Sequence, residues 1–200
     1  MNASTRQLDP SIGFALLAAG ESRRFGGGKL DAPLGTKPLW RWAADTVVAA
    51  GFVTRLLIVS EKTVPAQSLT ANDWQTATNP NAQAGLATSI ALACALAKDC
   101  SRLVIGLADM PFVEPDHLRA LAQADGVVFT LYPSGRAGVP AGFPGDAFST
   151  LAGLRGDRGA AGLNWGKPLN AIAPASLASL LDIDTPDDLE RARGQLLARG

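Results

Sequence analysis

Apolar positions in this chain fall into two patterns that alternate along its length. Short, nearly unbroken apolar runs at Ile12–Leu17, Arg55–Val59, Leu103–Leu107 and Val127–Leu131 read as strands buried on both faces. Between them lie stretches with apolar residues at helical spacing. Pro38–Ala50 carries Leu39, Trp42, Ala43 and Val47, and Gly51 can stop it. Ala84–Ala97 and Pro115–Ala124 read as further helices, and Pro186–Ala198 as a last one with Thr185 as N-cap and Pro186 at its first position. Strand and helix in turn predict an α/β fold, a three-layer α/β/α Rossmann-like arrangement with a mainly parallel sheet. Residues 1–200 are expected to form a single domain without internal repeats. The Gly/Pro-rich stretch Pro133–Gly145 reads as a functional loop region rather than a linker.

Composition narrows the class of protein. With 200 residues, 47% hydrophobic and 18% charged, the chain can bury a substantial core, which argues against disorder. Eighteen basic residues balance eighteen acidic ones, so no global field attracts nucleic acid or an anionic membrane, and neither is expected as a partner. Cys94 and Cys100 are too few for a zinc framework or a disulfide scaffold, which fits a reducing cytoplasm. Asp9 and Pro10 precede the apolar stretch Ile12–Ala19, so it reads as a strand rather than a signal sequence. No apolar segment reaches the roughly 18 residues of a membrane span.

The first strand collapses into Gly20-Glu21-Ser22-Arg23-Arg24-Phe25-Gly26-Gly27-Gly28-Lys29. A loop at a strand's carboxyl end sits where open α/β sheets bind ligands. Glycines let backbone N–H groups approach phosphate oxygens, and Arg23, Arg24 and Lys29 add positive charge. An ordinary turn would need the glycines alone; three cations among them point to polyphosphate. Two better-known phosphate loops do not fit. A Walker loop fails because Arg23 stands five before Gly28 and Leu30 follows Lys29. The dinucleotide fingerprint fails because Asp31, not Gly or Ala, follows Gly28 at the required spacing.

Candidate chemistry continues in two carboxylates. Asp109 follows the strand Leu103–Leu107, so its side chain should emerge beside the glycine loop, where a magnesium ligand would be useful. Asp184 also follows an apolar run and precedes a helix. Either residue could instead cap the turn or helix that follows, and the residues alone leave both readings open. His117, the only histidine, falls in a helix beside Asp116 and Arg119 and is expected to be solvated. Asn79, Gln83, Gly85 and Ser89 can meet the edges of a base or simply form turns and caps.

With the rest of the chain, the loop resembles the molybdenum cofactor cytidylyltransferase family, within the wider sugar-nucleotide-type nucleotidyltransferases. Leu17 to Lys29 meets the opening Leu-Ala-Ala-Gly-x-Ser-x-Arg-Phe-Gly-x-x-Lys. Asn79-Pro80 with Gln83–Ser89, Leu107–Pro111, Leu154–Ala160 and Asp182–Leu189 follow in the family's order. The resemblance implies that Lys29 and Arg24 act in catalysis and that Leu17, Ala18, Ala19, Gly20, Ser22, Asn79, Gln83, Gly85 and Ser89 bind the nucleotide. It also implies Mg2+ on Asp109 and Asp184, with Asp182 as the fallback. The implied reaction moves a nucleoside monophosphate, CMP from CTP, onto a phosphorylated small-molecule acceptor, the molybdenum cofactor, with release of pyrophosphate. A molybdoenzyme maturation partner would receive the product. Leu-Ala-Ala-Gly goes with cytidine in this family, whereas the guanylyltransferases usually show Leu-Ala-Gly-Gly, so Ala19 favours CTP. Methylerythritol-phosphate cytidylyltransferases share the opening but usually end the loop Pro-Lys-Gln, against Gly28-Lys29-Leu30 here. Acceptor-side elements are expected at Gly138–Ala141 and around Asp157 and Arg158; Val139 departs from the usual His or Asn. A noncatalytic nucleotide-binding or cofactor-insertion role on the same fold stays open.

Overall fold

The computed structural model describes residues 7–62, 74–156, 159–165 and 169–198. In chain order the strands are β1 (Ile12–Ala18), β2 (Pro33–Leu34), β3 (Lys37–Pro38), β4 (Thr54–Val59), β5 (Gln75–Thr78), β6 (Arg102–Leu107), β7 (Val128–Leu131), β8 (Ala137–Pro144) and β9 (Ala171–Ile172). The α-helices are α1 (Leu39–Ala49), α2 (Leu86–Leu96), α3 (Pro115–Gln123), α4 (Phe148–Ala152) and α5 (Pro186–Leu197). Seven strands form one sheet in the order β5-β4-β1-β6-β8-β7-β9, and β2 and β3 make a separate two-stranded ribbon. Every pairing in the large sheet is parallel except those of β8 with β6 and β7. The expected three-layer α/β arrangement is therefore present.

Alternation along β1 shows why the sheet is covered on both faces. Phe14, Leu16 and Ala18 join one core cluster, which includes Trp40, Val47, Leu118 and Leu121 from α1 and α3. Ala15 and Leu17 join the other, with Ile90 and Ala93 of α2 and Phe148 and Leu151 of α4. Successive strand side chains point to opposite faces, so a continuous apolar run serves two layers. α5 packs through Leu189 and Ala192 into a third cluster with Leu34, Leu39, Phe112 and Ile183. Its start follows the sequence reading: Thr185 is the N-cap, and its hydroxyl accepts from the Asp188 N–H while Asp188 accepts from the Thr185 N–H. Among the described residues no helix is long and apolar enough to cross a membrane. Both cysteines are free thiols.

Two expectations are corrected. Pro133–Gly145 is not a loop region throughout, because Ala137–Pro144 is β8, inserted antiparallel between β6 and β7. Its small residues suit close packing rather than a turn. A Cβ added at Gly142 would lie 2.5 Å from the Leu121 carbonyl oxygen and 2.6 Å from Arg102 Nη2. Arg102 occupies that space to donate from Nε to Leu121 O (2.9 Å) and from Nη1 to Gly126 O (2.9 Å), closing the end of α3. Gly142→Ala is expected to destabilise the protein by about 1–3 kcal/mol through overpacking, read as a lower urea midpoint; an unchanged midpoint would show that α3 yields freely.

His117 is also not solvated. It is buried, and its Nε2 lies 2.8 Å from Thr130 Oγ1 on β7. Thr130 Oγ1 donates to the Pro140 carbonyl oxygen at 2.5 Å. With the hydroxyl proton so committed, His117 Nε2 must carry the proton of the His117–Thr130 bond. Burial lowers the pKa of the ring, against a smaller upward pull from Glu114. Asp116 and Arg119 pair on the exposed side of α3, so the charged sequence neighbours were a poor guide to His117 itself.

Candidate active site

The loop after β1 winds through a series of left-handed backbone conformations. Ser22 has φ 52°, and Gly26, Gly27 and Gly28 have φ 90°, 101° and 63°. Glycine adopts these values without a Cβ clash, which is why the run is glycine here. The Ser22 carbonyl accepts from the N–H groups of Phe25 (3.1 Å) and Gly27 (3.2 Å), coiling the loop back on itself. The coil returns Lys29 inward, where the residue is only 6% exposed. Arg23 turns aside and donates from Nε to Glu21 Oε2 at 2.6 Å. Arg24 and Lys29 reach the carboxylates instead.

Backbone bonds bring those carboxylates to the loop. The Ala108 N–H donates to the Leu17 carbonyl (3.0 Å), setting Asp109 beside the end of β1. The Ile183 N–H donates to the Asp109 carbonyl (3.1 Å), and the Ile183 side chain is fully buried in the third core cluster. Asp182 and Asp184 flank this anchor. One carboxylate oxygen from each of Asp109, Asp182 and Asp184 lies within 4.8 Å of the others. Asp188 Oδ2 fixes the segment further, accepting from the N–H groups of Asp184 (3.1 Å) and Thr185 (2.7 Å). The structure thus brings the fallback residue Asp182 into the same cluster as Asp109 and Asp184.

Lys29 Nζ donates to Asp109 Oδ2 at 2.6 Å and lies 3.4 Å from Asp184 Oδ1, while Arg24 Nη1 donates to Asp184 Oδ2 at 2.5 Å. Burial pulls the Lys29 pKa down, but Asp109 foremost and then Asp182 and Asp184 more than compensate, so the ammonium stays charged. Asp182 is pushed up to about 7, by desolvation and by the like charge of Asp109, with Lys29 opposing. Because its surface is exposed to solvent, the repulsion from Asp109 and Asp184 is the cause the geometry supports best. Asp109 Oδ1 is buried and has no hydrogen-bond partner. A buried carboxylate oxygen with free lone pairs, inside an all-oxygen donor set of crowded anions, fits a hard divalent cation.

These groups open onto a cleft of about 550 Å3, within the range that holds a small-molecule ligand. Leu17, Ala19, Gly20, Ser22, Arg24, Lys29, Asp109 and Asp184 form one side, and Gln83, Gly85, Leu86 and Ser89 line it from α2 and the turn before it. Ala18 lies in the core beneath. Asn79 is buried behind this second wall and does not line the cleft. Its Nδ2 donates to Thr88 Oγ1 and Ser89 Oγ, both at 2.9 Å, and its Oδ1 accepts from the Asn81 N–H at 2.9 Å. The amide is occupied by the wall itself, so Asn79 acts on the cleft by holding Ser89 in place. Asn79→Ala strands these polar groups and is expected to lower stability by about 1–3 kcal/mol in thermal or urea unfolding; a neutral substitution would show that the wall is held elsewhere.

Sequence reasoning missed Asp182's place beside the other two acids and the position of Tyr132. The Tyr132 hydroxyl donates to the Val139 carbonyl at 2.6 Å, and its pKa is pushed up to about 12 by burial, then by Asp182 and Asp109. As the chain's single tyrosine, outside any motif, it carried no sequence signal. Val139 is half-buried against the α2–α4 core cluster, off the lining of the cleft. Asp157 and Arg158 lie outside the described residues.

A glycine-and-cation loop facing a carboxylate cluster across the carboxyl ends of β1 and β6 defines the class: an α/β transferase of nucleoside triphosphates. The MobA-like NTP transferase domain is matched over residues 14–169, and the chain belongs to that family of nucleotidyltransferases. A search of curated protein sequences found no match. Among solved structures, Rv0371c from Mycobacterium tuberculosis H37Rv has 27% identity and a TM-score of 0.74, covering 92% of this chain and 97% of its own. Rv0371c has also been solved in complex with manganese (26% identity, TM-score 0.69, 92% and 98% coverage). A nucleotidyl transferase from Methanothermobacter thermautotroptrophicus, Mth528, reaches a TM-score of 0.81 at 19% identity, covering 94% and 99%. Molybdopterin-guanine dinucleotide biosynthesis protein A from Archaeoglobus fulgidus aligns with a TM-score of 0.68 at 21% identity, covering 94% and 100%. The matched domain ends before Asp182 and Asp184, so the geometry rather than the family match joins them to the site.

Proposed function

We propose that this chain is a magnesium-dependent cytidylyltransferase that transfers CMP from CTP to the terminal phosphate of the molybdenum cofactor and releases pyrophosphate. The observation that carries the reading is the apposition, in one cleft, of the cations Arg24 and Lys29 with Asp109 and Asp184, whose carboxylates cluster with that of Asp182. A phosphate acceptor is already ionised at neutral pH, so attack on the α-phosphorus needs no strong base from the protein. The protein's work is alignment and neutralisation of charge. Lys29 and Arg24 meet the triphosphate, and the cleft walls at Leu17–Ser22 and Gln83–Ser89 orient the nucleoside. Asp109 and Asp184 are the residues to hold Mg2+, with Asp182 beside them; when bound, the ion neutralises and orients triphosphate oxygens. The manganese complex of Rv0371c supports a divalent cation here.

Ala19, in Leu-Ala-Ala-Gly, supports CTP over GTP. Asn79 and Ser89 belong on the nucleotide side, so Asn79→Ala should raise the nucleotide KM more than it lowers kcat. We place the reaction in the cytoplasm, with a molybdoenzyme maturation partner receiving the product. Pyrophosphate release measured across the four nucleoside triphosphates, with and without molybdenum cofactor, tests the whole reading. CTP with the cofactor should be the productive pair; preference for GTP, or turnover only with another phosphorylated acceptor such as methylerythritol phosphate, would overturn the assigned specificity.

A further inference from the structure

Lys29 and Arg24 are assigned to phosphate, and Asp109 and Asp184 to a divalent cation, yet here the two sets bind each other. Lys29 Nζ sits 2.6 Å from Asp109 Oδ2 and 3.4 Å from Asp184 Oδ1, and Arg24 Nη1 sits 2.5 Å from Asp184 Oδ2. Of the four oxygens on these two acids, only Asp109 Oδ1 has no cation against it. The Lys29 ammonium therefore engages carboxylate oxygens that would hold a metal. Its side chain is 8% exposed, so it cannot withdraw into bulk water without leaving this pocket.

A divalent cation arriving alone must displace that ammonium and leave a buried lysine without an acceptor, which is costly. A triphosphate arriving alone must draw the same lysine from the carboxylates and leave them crowded and unneutralised. Arriving together, each ligand supplies what the other removes. Phosphate oxygens give Lys29 and Arg24 charge-assisted hydrogen bonds, and the metal takes the carboxylates they vacate. The geometry points to an exchange of ion-pair partners in which Lys29 gates the metal site, so that divalent cation and nucleoside triphosphate each bind poorly alone and strengthen one another. Linkage makes the coupling reciprocal: whatever factor the nucleotide lends the metal, the metal lends the nucleotide. The inference rests on the nucleotidyltransferase reading and adds to it how the metal and nucleotide sites are coupled.

Mn2+ binding to the full chain, followed by calorimetry, tests the gate without turnover. Wild type should bind Mn2+ weakly, and α,β-methylene CTP should tighten it by about 10-fold to 100-fold once Mn2+ chelation by the free analogue is subtracted. Lys29→Gln should bind Mn2+ alone more tightly than wild type and gain less from the analogue. A lysine with a purely structural role predicts the reverse, since losing it would loosen the site and weaken the metal. Circular dichroism melts establish that the variants fold; if Lys29→Gln does not, Arg24→Gln carries the same comparison, because that side chain is 77% exposed. If none of the four α,β-methylene nucleoside triphosphates binds the wild type with Mn2+ present, the proposed function fails and the exchange fails with it. If one binds, yet Mn2+ affinity is the same with and without it, or neither substitution tightens Mn2+, the exchange alone is overturned.

Discussion

Asp109→Asn is expected to lower kcat by on the order of 100-fold or more, the loss typical when one preorganised charge stabiliser is removed. Asparagine preserves the size of the side chain and one acceptor oxygen, so Lys29 keeps a hydrogen bond. What disappears is the negative charge that, with Asp184, would hold a divalent cation against the triphosphate. Stability should change little, because the same substitution relieves repulsion among three acids whose oxygens lie within 4.8 Å of one another. The expected pair of results is thus a melting temperature close to wild type and a crippled rate of pyrophosphate release. Wild-type turnover in the folded variant would remove Asp109 from the metal site.

Lys29→Ala should lose about 100-fold to 1000-fold in kcat, together with nucleotide affinity. A compact ammonium on a flexible stem can follow charge as it shifts toward the leaving pyrophosphate, so its contribution is larger in the transition state than in the bound substrate. Lys29→Arg should rescue only in part, since a planar guanidinium does not fit the space of a lysine that is 6% exposed. An exposed turn lysine would predict changes within about 0.5 kcal/mol in stability and none in rate. The burial of Lys29 against Asp109 already separates it from that case. Steady-state kinetics with both substrates varied, beside thermal melts, checks the expectation; near-wild-type kcat and KM would leave the loop as a turn.

The elements legible in the sequence were those whose cause is local. β1 and β6 are apolar runs, α1 shows its period in Leu39, Ala43 and Val47, and α5 announces itself through Thr185, Pro186 and Asp188. β8 was illegible because its glycines and prolines read as a turn until Arg102 and the end of α3 are seen pressed against Gly142. His117 looked solvated because Asp116 and Arg119 are its sequence neighbours, whereas its partner Thr130 lies on another element. In the site, the loop and Asp109 could be placed from sequence, since β6 fixes where the residues after it emerge, whereas Asp184 follows no strand. The third acid and the engagement of Asn79 depend on contacts that cross the chain: the Asp109–Ile183 backbone bond in one case and a turn folded over α2 in the other.

The hydrogen bonds from Asn79 to Thr88 and Ser89, with the return bond from the Asn81 N–H, close residues 79–89 into a ring. Such a ring loses its conformational freedom when the protein folds, so little is left to lose when a ligand enters. A nucleotide meeting this wall would therefore encounter a surface already in its final shape, and association would not wait for a segment to order. The Asn81 amide should accordingly exchange its hydrogen slowly in the free protein and change little on nucleotide binding, while any motion that accompanies loading is confined to the glycine loop across the cleft.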